Sequence, residues 1–194
     1  MKPPSFNVTV FASSTKVDSV YFDAAHELGR AVANRGWGLV YGGNAAGPMG
    51  AVADACRDAG GYVTGVSPSL FGDIMDKRCN EFVVAEDMRH RKAEMERRGQ
   101  AFVTLPGGIG TLEEFFEILV GRHLATHDKP VILANVNGYY DPLVQWLRLG
   151  TEQKFVRPAV WEQLHVADTI GAAVSLLERN AGNFADPSVS NASP

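Results

Sequence analysis

Cysteine is scarce in this sequence, long apolar runs are missing, and neither sign of charge dominates. The two cysteines, Cys56 and Cys79, are too few for a disulfide framework and lack the spacing of metal ligands. Apolar runs stay far below the roughly 20 residues of a membrane-spanning helix, and the first residues contain no signal-peptide core. We therefore expect a cytoplasmic protein that uses no metal and no membrane partner.

The charge balance argues against nucleic acid as a partner. The chain carries 18 Lys and Arg against 22 Asp and Glu, a formal net charge of −4, and no basic stripe could track a phosphate backbone. Its 194 residues, 45% hydrophobic and 21% charged, suffice for one domain with a sizeable core. We expect a single domain over residues 1–179 and a loose tail, rich in Ser, Asn, Ala and Pro, over residues 180–194.

Short apolar segments alternate with helix-like segments along the whole domain. The patterns predict strands at residues 8–11, 39–41, 62–66, 82–84, 101–105, 131–134 and, less regularly, 160–166. They predict helices at residues 19–35, 49–59, 88–98, 112–124 and 142–149, a last helix capped by Asp168 and ending at residue 179, and an irregular stretch at residues 67–80. Such alternation is typical of an α/β fold with three layers: a mostly parallel sheet between helices on both faces.

A glycine-rich turn joins the predicted strand at residues 101–105 to the helix that follows. It contains Pro106, Gly107, Gly108, Gly110 and Thr111. Glycine backbone can approach an anion closely there, and the first free amides of a helix would point at it. The spacing matches neither a Walker loop nor the dinucleotide fingerprint. The turn therefore predicts a phosphate site, and a tight connection without a ligand is the alternative.

Two further turns support the phosphate interpretation. Ser13 and Ser14 follow the first predicted strand, and Gly42 and Gly43 follow the second. Parallel sheets bind ligands outside the carboxyl ends of their strands, so all three turns are expected to meet at one edge.

Glu114 has a structural and a chemical interpretation. With Thr111 it fits a capping box, in which its carboxylate would bond back to the Thr111 amide. It could equally serve as a catalytic carboxylate beside the bound phosphate.

The helix predicted at residues 88–98 is densely charged, and most of it is expected to face solvent. Met88, Arg91, Lys92 and Met95 nevertheless share one face by their spacing. A cation at the buried edge of such a face needs an anionic partner or ligand. Either Arg91 or Lys92, or both, could therefore be functional.

These motifs together resemble the Lonely Guy (LOG) family, long labelled lysine decarboxylases. Residues 106–114 match the family pattern Pro-Gly-Gly-x-Gly-Thr-x-x-Glu, residues 88–95 match its Arg-Lys helix motif, and residues 41–43 match its Tyr-Gly-Gly turn. The resemblance covers roughly residues 7–178. Departures occur at four positions, where they put base specificity in question: Ala12, Asn44, Pro48 and Ile109.

The resemblance implies a Rossmann-like fold, a homodimer and an enzyme without a cofactor. Such enzymes hydrolyse the N-glycosidic bond of a nucleoside 5′-monophosphate, a cytokinin riboside monophosphate or AMP, to free base and ribose 5-phosphate. By motif, Arg91 and Glu114 would be the catalytic pair, and Gly107, Gly108, Gly110 and Thr111 would hold the phosphate. The alternatives are a non-catalytic carrier on the same fold, like the molybdenum-cofactor carriers, and true lysine decarboxylation, for which no pyridoxal phosphate site is recognisable.

Overall fold

A computed structural model describes residues 2–74 and 76–185 of the chain. Its strands are β1 (Asn7–Phe11), β2 (Gly38–Tyr41), β3 (Tyr62–Pro68), β4 (Glu81–Ala85), β5 (Ala101–Thr104), β6 (Val131–Ala134) and β7 (Leu164–Ala167). Its helices are α1 (Ser19–Asn34), α2 (Gly47–Asp58), α3 (Met88–Arg98), α4 (Ile109–His123), α5 (Asp141–Glu152), α6 (Val160–Gln163) and α7 (Ile170–Ala185). Short 3-10 turns cover Ser69–Ile74 and Val136–Gly138. The predicted alternation of strands and helices is confirmed.

The strands form one parallel sheet in the order β4-β3-β2-β1-β5-β6-β7. The chain leaves β1 toward one edge of the sheet and then returns to β5 on the other side of β1. This reversal leaves a crevice above the carboxyl ends of β1 and β5, which is where ligands bind in open α/β sheets. The turns after both strands carry predicted site residues.

Helices cover both faces of the sheet, so the predicted three-layer α/β architecture is confirmed. On one face, Val8, Val10 and Val103 pack with apolar residues of α1, α2 and α7. On the other, Phe11 and Phe102 pack with residues of α3, α4 and α5. Successive strand residues alternate between the two cores, because side chains along a strand point to opposite faces.

Two predicted segments differ in the structure. The strand predicted at residues 160–166 is in fact the helix α6, which follows Pro158, and then β7, which begins only at Leu164. The irregular stretch predicted at residues 67–80 begins too early, since β3 continues through Pro68 by pairing with β4. Pro68, the last residue of the strand, is a local signal for termination. Its place in β3 therefore depends on pairing with β4 and could not be predicted from the local sequence.

The last helix begins and ends later than predicted. Its first-turn amide, Ala172 N, donates to Thr169 Oγ1 at 3.1 Å. Thr169, not Asp168, therefore provides the cap, and Asp168 instead accepts from Asn135 Nδ2. The helix continues to Ala185, so the boundary predicted at residue 179 falls inside it. The rest of the predicted loose tail, residues 186–194, lies outside the described residues.

Within residues 2–74 and 76–185, every helix is too short or too polar to cross a bilayer.

Candidate active site

Arg91 and Glu114 form a buried ion pair between α3 and α4. Arg91 Nη1 donates to Glu114 Oε1 at 2.6 Å, and both side chains are only 6% exposed. Arg91 Nε also donates to the carbonyl oxygen of Val66 at 3.2 Å, which ties the guanidinium to β3. The helix face predicted from the spacing thus turns Arg91 and Met95 inward, and the partner of the cation is Glu114.

The capping-box interpretation of Glu114 is wrong. The helix α4 begins at Ile109, and its N-cap is Gly108. Thr111 therefore lies in the first helical turn and cannot act as the cap. Glu114 is buried instead and accepts a hydrogen bond from Arg91.

Opposing effects act on the ionisation of Glu114. Burial raises the pKa of this carboxyl group above its ordinary value, and the charge of Arg91 and its hydrogen bond oppose the rise. The net shift is upward. A carboxylate with a raised pKa is a stronger base than an ordinary one, and beside a cavity it is suited to accept a proton.

The glycine turn after β5 is fixed by two tyrosines from the segment that follows β6, the neighbouring strand. Tyr139 Oη donates to the carbonyl oxygen of Gly107 at 2.9 Å, and Tyr140 Oη donates to that of Leu105 at 2.8 Å. With its carbonyls held this way, the turn leads directly into the α4 N-terminus. A Cβ built on Gly108 or Gly110 would meet nothing within 4 Å, so the backbone there is open to a ligand.

The turn after β2 lies against the ion pair. A Cβ at Gly42 would come within 2.0 Å of Arg91 Nη2, so only glycine leaves room for the guanidinium. Gly43 has φ of +73°, a left-handed conformation that favours glycine. The Tyr-Gly-Gly turn is therefore needed both for its backbone shape and for the close approach of Arg91.

A cavity of about 390 Å³ opens above the carboxyl ends of the strands and joins these features. Arg91 and Glu114 lie in its wall. Of the other predicted binding residues, these also line it: Ser13, Ser14, Gly42, Met88, Gly108, Gly110 and Thr111. The three predicted turns thus meet at one edge of the sheet. Gly43, Pro106, Gly107 and Lys92 lie outside the lining.

Sequence reasoning missed several residues that line the cavity: Thr15, Ser67, Phe71 and Glu113. Ser67 lies near the carboxyl end of β3, so the rule that placed the other turns at this edge could have found it. Phe71 reaches the cavity from the 3-10 turn after β3, and its sequence neighbourhood carries no such signal.

Comparison with known proteins identifies the family to which the chain is similar. The family model described as "Possible lysine decarboxylase" matches residues 49–177. A protein of Mycobacterium tuberculosis named cytokinin riboside 5′-monophosphate phosphoribohydrolase is 37% identical, over 87% of this chain and 91% of its own length. A protein of the same name from Rhodococcoides fascians is 39% identical over 91% of each chain.

Among solved structures, the molybdenum cofactor carrier protein of Chlamydomonas reinhardtii superimposes with a TM-score of 0.68. The match is 21% identical and covers 94% of this chain and 99% of that one. At this level of identity the likeness shows a shared fold and no more.

The family match and the relatives define the class of protein. The chain belongs to the family described as possible lysine decarboxylases, which is the LOG family that its motifs resemble. The sequence-based assignment is thereby confirmed.

Proposed function

We propose that this protein hydrolyses the N-glycosidic bond of a purine nucleoside 5′-monophosphate. The substrate is AMP or a cytokinin riboside 5′-monophosphate, and the products are the free base and ribose 5-phosphate. The observation that carries the proposal is the buried Arg91–Glu114 pair in the wall of a cavity that the α4 N-terminus also lines. The names of the bacterial relatives support the same reaction class.

The phosphate binds at the N-terminus of α4. The first amides of a helix have no carbonyl partner within it, and the helix dipole favours an anion there. Gly108, Gly110 and Thr111 bring this backbone to the cavity. Anchoring the phosphate fixes the position of the ribose, so it contributes to turnover as well as to affinity.

Glu114 acts on the sugar. When the bond between C1′ and the base nitrogen breaks, positive charge develops on the ribose, as in glycosidases. The Glu114 carboxylate stabilises this charge and takes a proton from the water that bonds to C1′. The departing base keeps the electron pair of the broken bond and takes up a proton from solvent. Arg91 holds Glu114 in place and opposes its protonation.

Chromatography of the products tests the reaction. Purified protein is incubated with AMP, an N6-prenylated AMP, IMP, CMP and adenosine, and the free base and ribose 5-phosphate are measured. We expect release from a purine monophosphate, much slower release from adenosine, and inhibition by ribose 5-phosphate. Equal rates on AMP and adenosine would contradict the phosphate site, and no release from any nucleotide would contradict the proposed reaction.

We also propose that the protein is a cytoplasmic homodimer with α4 in its interface. Val120 on α4 and Leu124 just after it are exposed, and so are Trp146 of α5 and Phe155. Together they border an apolar groove of about 390 Å³, whereas the exposed face of α3 is charged. A monomer mass by light scattering at micromolar concentration would contradict the dimer.

A further inference from the structure

Lys92 follows Arg91 on α3, but its ammonium group is held away from the cavity. Lys92 Nζ pairs with Glu113 Oε1 and with Glu117 Oε2, both on α4. The lysine side chain is 15% exposed, whereas the two carboxylates are about half exposed. An ammonium group shared by two carboxylates is not free to hold a substrate phosphate.

The helix α3 has little apolar surface with which to pack. Its buried residues are Arg91 and Met95, and Met95 belongs to the same buried cluster as Phe115 and Ile118 of α4. A helix with so narrow an apolar contact depends on polar contacts for its position. The pairs made by Lys92 lie one residue from Arg91, where a small shift of α3 would move the guanidinium relative to Glu114.

Lys92 also balances the charge around Glu114. Among the described residues, the charged groups facing Glu114 are Arg91 and Lys92 from α3 and Glu113 and Glu117 from α4. Glu113 raises the pKa of Glu114, and Lys92 lowers it. Without Lys92, two neighbouring carboxylates would face Glu114 with one cation to balance them.

The side chains of Lys92 and Glu114 border the same small void. It is also lined by Phe11, Glu117 and Ile118, and its volume is about 10 Å³, at or below the least that a water molecule needs. Interactions between charges are stronger in such a dry space than in water.

We propose that Lys92 is a positioning residue for the Arg91–Glu114 pair: by bridging Glu113 and Glu117 it fixes α3 against α4 and offsets the negative charge of these two carboxylates beside Glu114. The role in hydrolysis rests on the proposed function, in which the Glu114 carboxylate accepts a proton. Lys92 itself touches no reacting atom.

The test uses Lys92→Met, Lys92→Arg and a control. Methionine keeps most of the apolar stem and removes the charge. We expect kcat at pH 7 to fall at least about tenfold, KM to change less than about threefold, and the acid limb of the pH–kcat profile to move up by at least about half a pH unit. Lys92→Arg keeps the charge and should recover at least about half of kcat. Arg97→Met, which removes an exposed pair with Glu94 on the same helix, should leave kcat within about twofold.

Three results would overturn the proposal. One is a Lys92→Met variant with normal kcat and an unmoved acid limb. The second is a variant whose KM rises while kcat stays normal, since that would indicate a direct contact with substrate. The third is an equal loss of kcat in Lys92→Met and Lys92→Arg with no movement of the acid limb. That result would indicate a merely structural role for Lys92.

A second measurement needs no turnover. The Glu114 carboxyl group is titrated by ¹³C NMR in the wild type and in both Lys92 variants. Lys92→Met should raise the titration midpoint, and Glu117→Gln, which removes a facing carboxylate, should lower it. An unmoved midpoint in Lys92→Met would refute the charge-balancing role. If Lys92→Met does not fold, an unmoved midpoint in Glu117→Gln would refute it. Failure of the wild type to hydrolyse any nucleotide would refute the proposed function alone.

Discussion

Replacing Glu114 by glutamine changes the buried Arg91–Glu114 contact almost without changing its shape. The amide oxygen can still accept from Arg91 Nη1, which lies 2.6 Å from Glu114 Oε1 in the native protein. What is lost is the negative charge opposite a guanidinium that is only 6% exposed. The substitution therefore separates the charge of Glu114 from its hydrogen bond.

The stability cost follows from the burial of the pair. Removing one partner of a buried ion pair outright costs about 3–5 kcal/mol. Because the hydrogen bond can survive in Glu114→Gln, we expect a loss of about 2 kcal/mol. For a chain of this size that corresponds to a fall in Tm of roughly 4–8 °C. A capping role would have predicted a loss of only about 1 kcal/mol.

The effect on catalysis should be much larger than the effect on folding. A neutral amide neither stabilises the charge on the sugar nor accepts a proton from water, so turnover should fall at least roughly 100-fold. Thermal unfolding by circular dichroism and release of adenine from AMP measure the two effects separately. A Glu114→Gln variant that is folded and hydrolyses AMP within a few-fold of the wild-type rate would refute the reasoning.

Glu178→Gln is the matched control for this variant. Glu178 also pairs with an arginine, Arg35, at 2.7 Å, but its side chain is 50% exposed. Exposed pairs contribute roughly 0–1 kcal/mol, so this variant should keep nearly full stability and full activity.

Three further predictions follow from the same contacts. Gly42→Ala places a Cβ 2.0 Å from Arg91 Nη2, so the guanidinium must shift. In steady-state assays kcat should fall about 10- to 100-fold while the protein stays folded. A normal kcat would show that Arg91 need not stay in place. Burial raises the pKa of Glu114, and the carboxylate becomes protonated as pH falls through that raised value. The kcat should therefore decline on the acid side with an apparent pKa above 4.5. This acid limb should be absent from the residual activity of Glu114→Gln. Burial alone would raise the pKa of Asp76, but hydrogen bonds from Arg78 and Tyr41 and the charge of Arg57 lower it to about 2. The stability that Asp76 contributes is therefore fully present above its unfolded pKa near 4 and is lost as pH falls toward 2. In urea unfolding, Asp76→Asn should have a free energy of unfolding about 2 kcal/mol below that of the wild type at pH 7, and this difference should shrink as pH falls from 4 to 2.

Much of the fold could be predicted from the sequence because its signals are local. The apolar runs at residues 8–11, 101–105 and 131–134 are strands since each is short and is followed or preceded by turn residues. The capping of α3 is equally local: the Asp87 carboxylate accepts from His90 N at 2.8 Å, and a cap involves residues only a few positions apart. The local signals failed at Pro68, where pairing with β4 extends the strand, and at residues 160–163, which form a helix and not a strand.

The candidate site divides in the same way. The sequence by itself determined the glycine turn, the two small-residue turns and the face of α3 that carries Arg91. The rule that parallel sheets bind ligands at the carboxyl ends of their strands placed the three turns at one edge. Only the tertiary structure decided what each charged group meets. It paired Arg91 with Glu114, bridged Lys92 to two other carboxylates and brought Phe71 into the cavity. Spacing along a helix determines which residues share a face, whereas the partner of that face depends on strand order and on helix packing between segments distant in the chain.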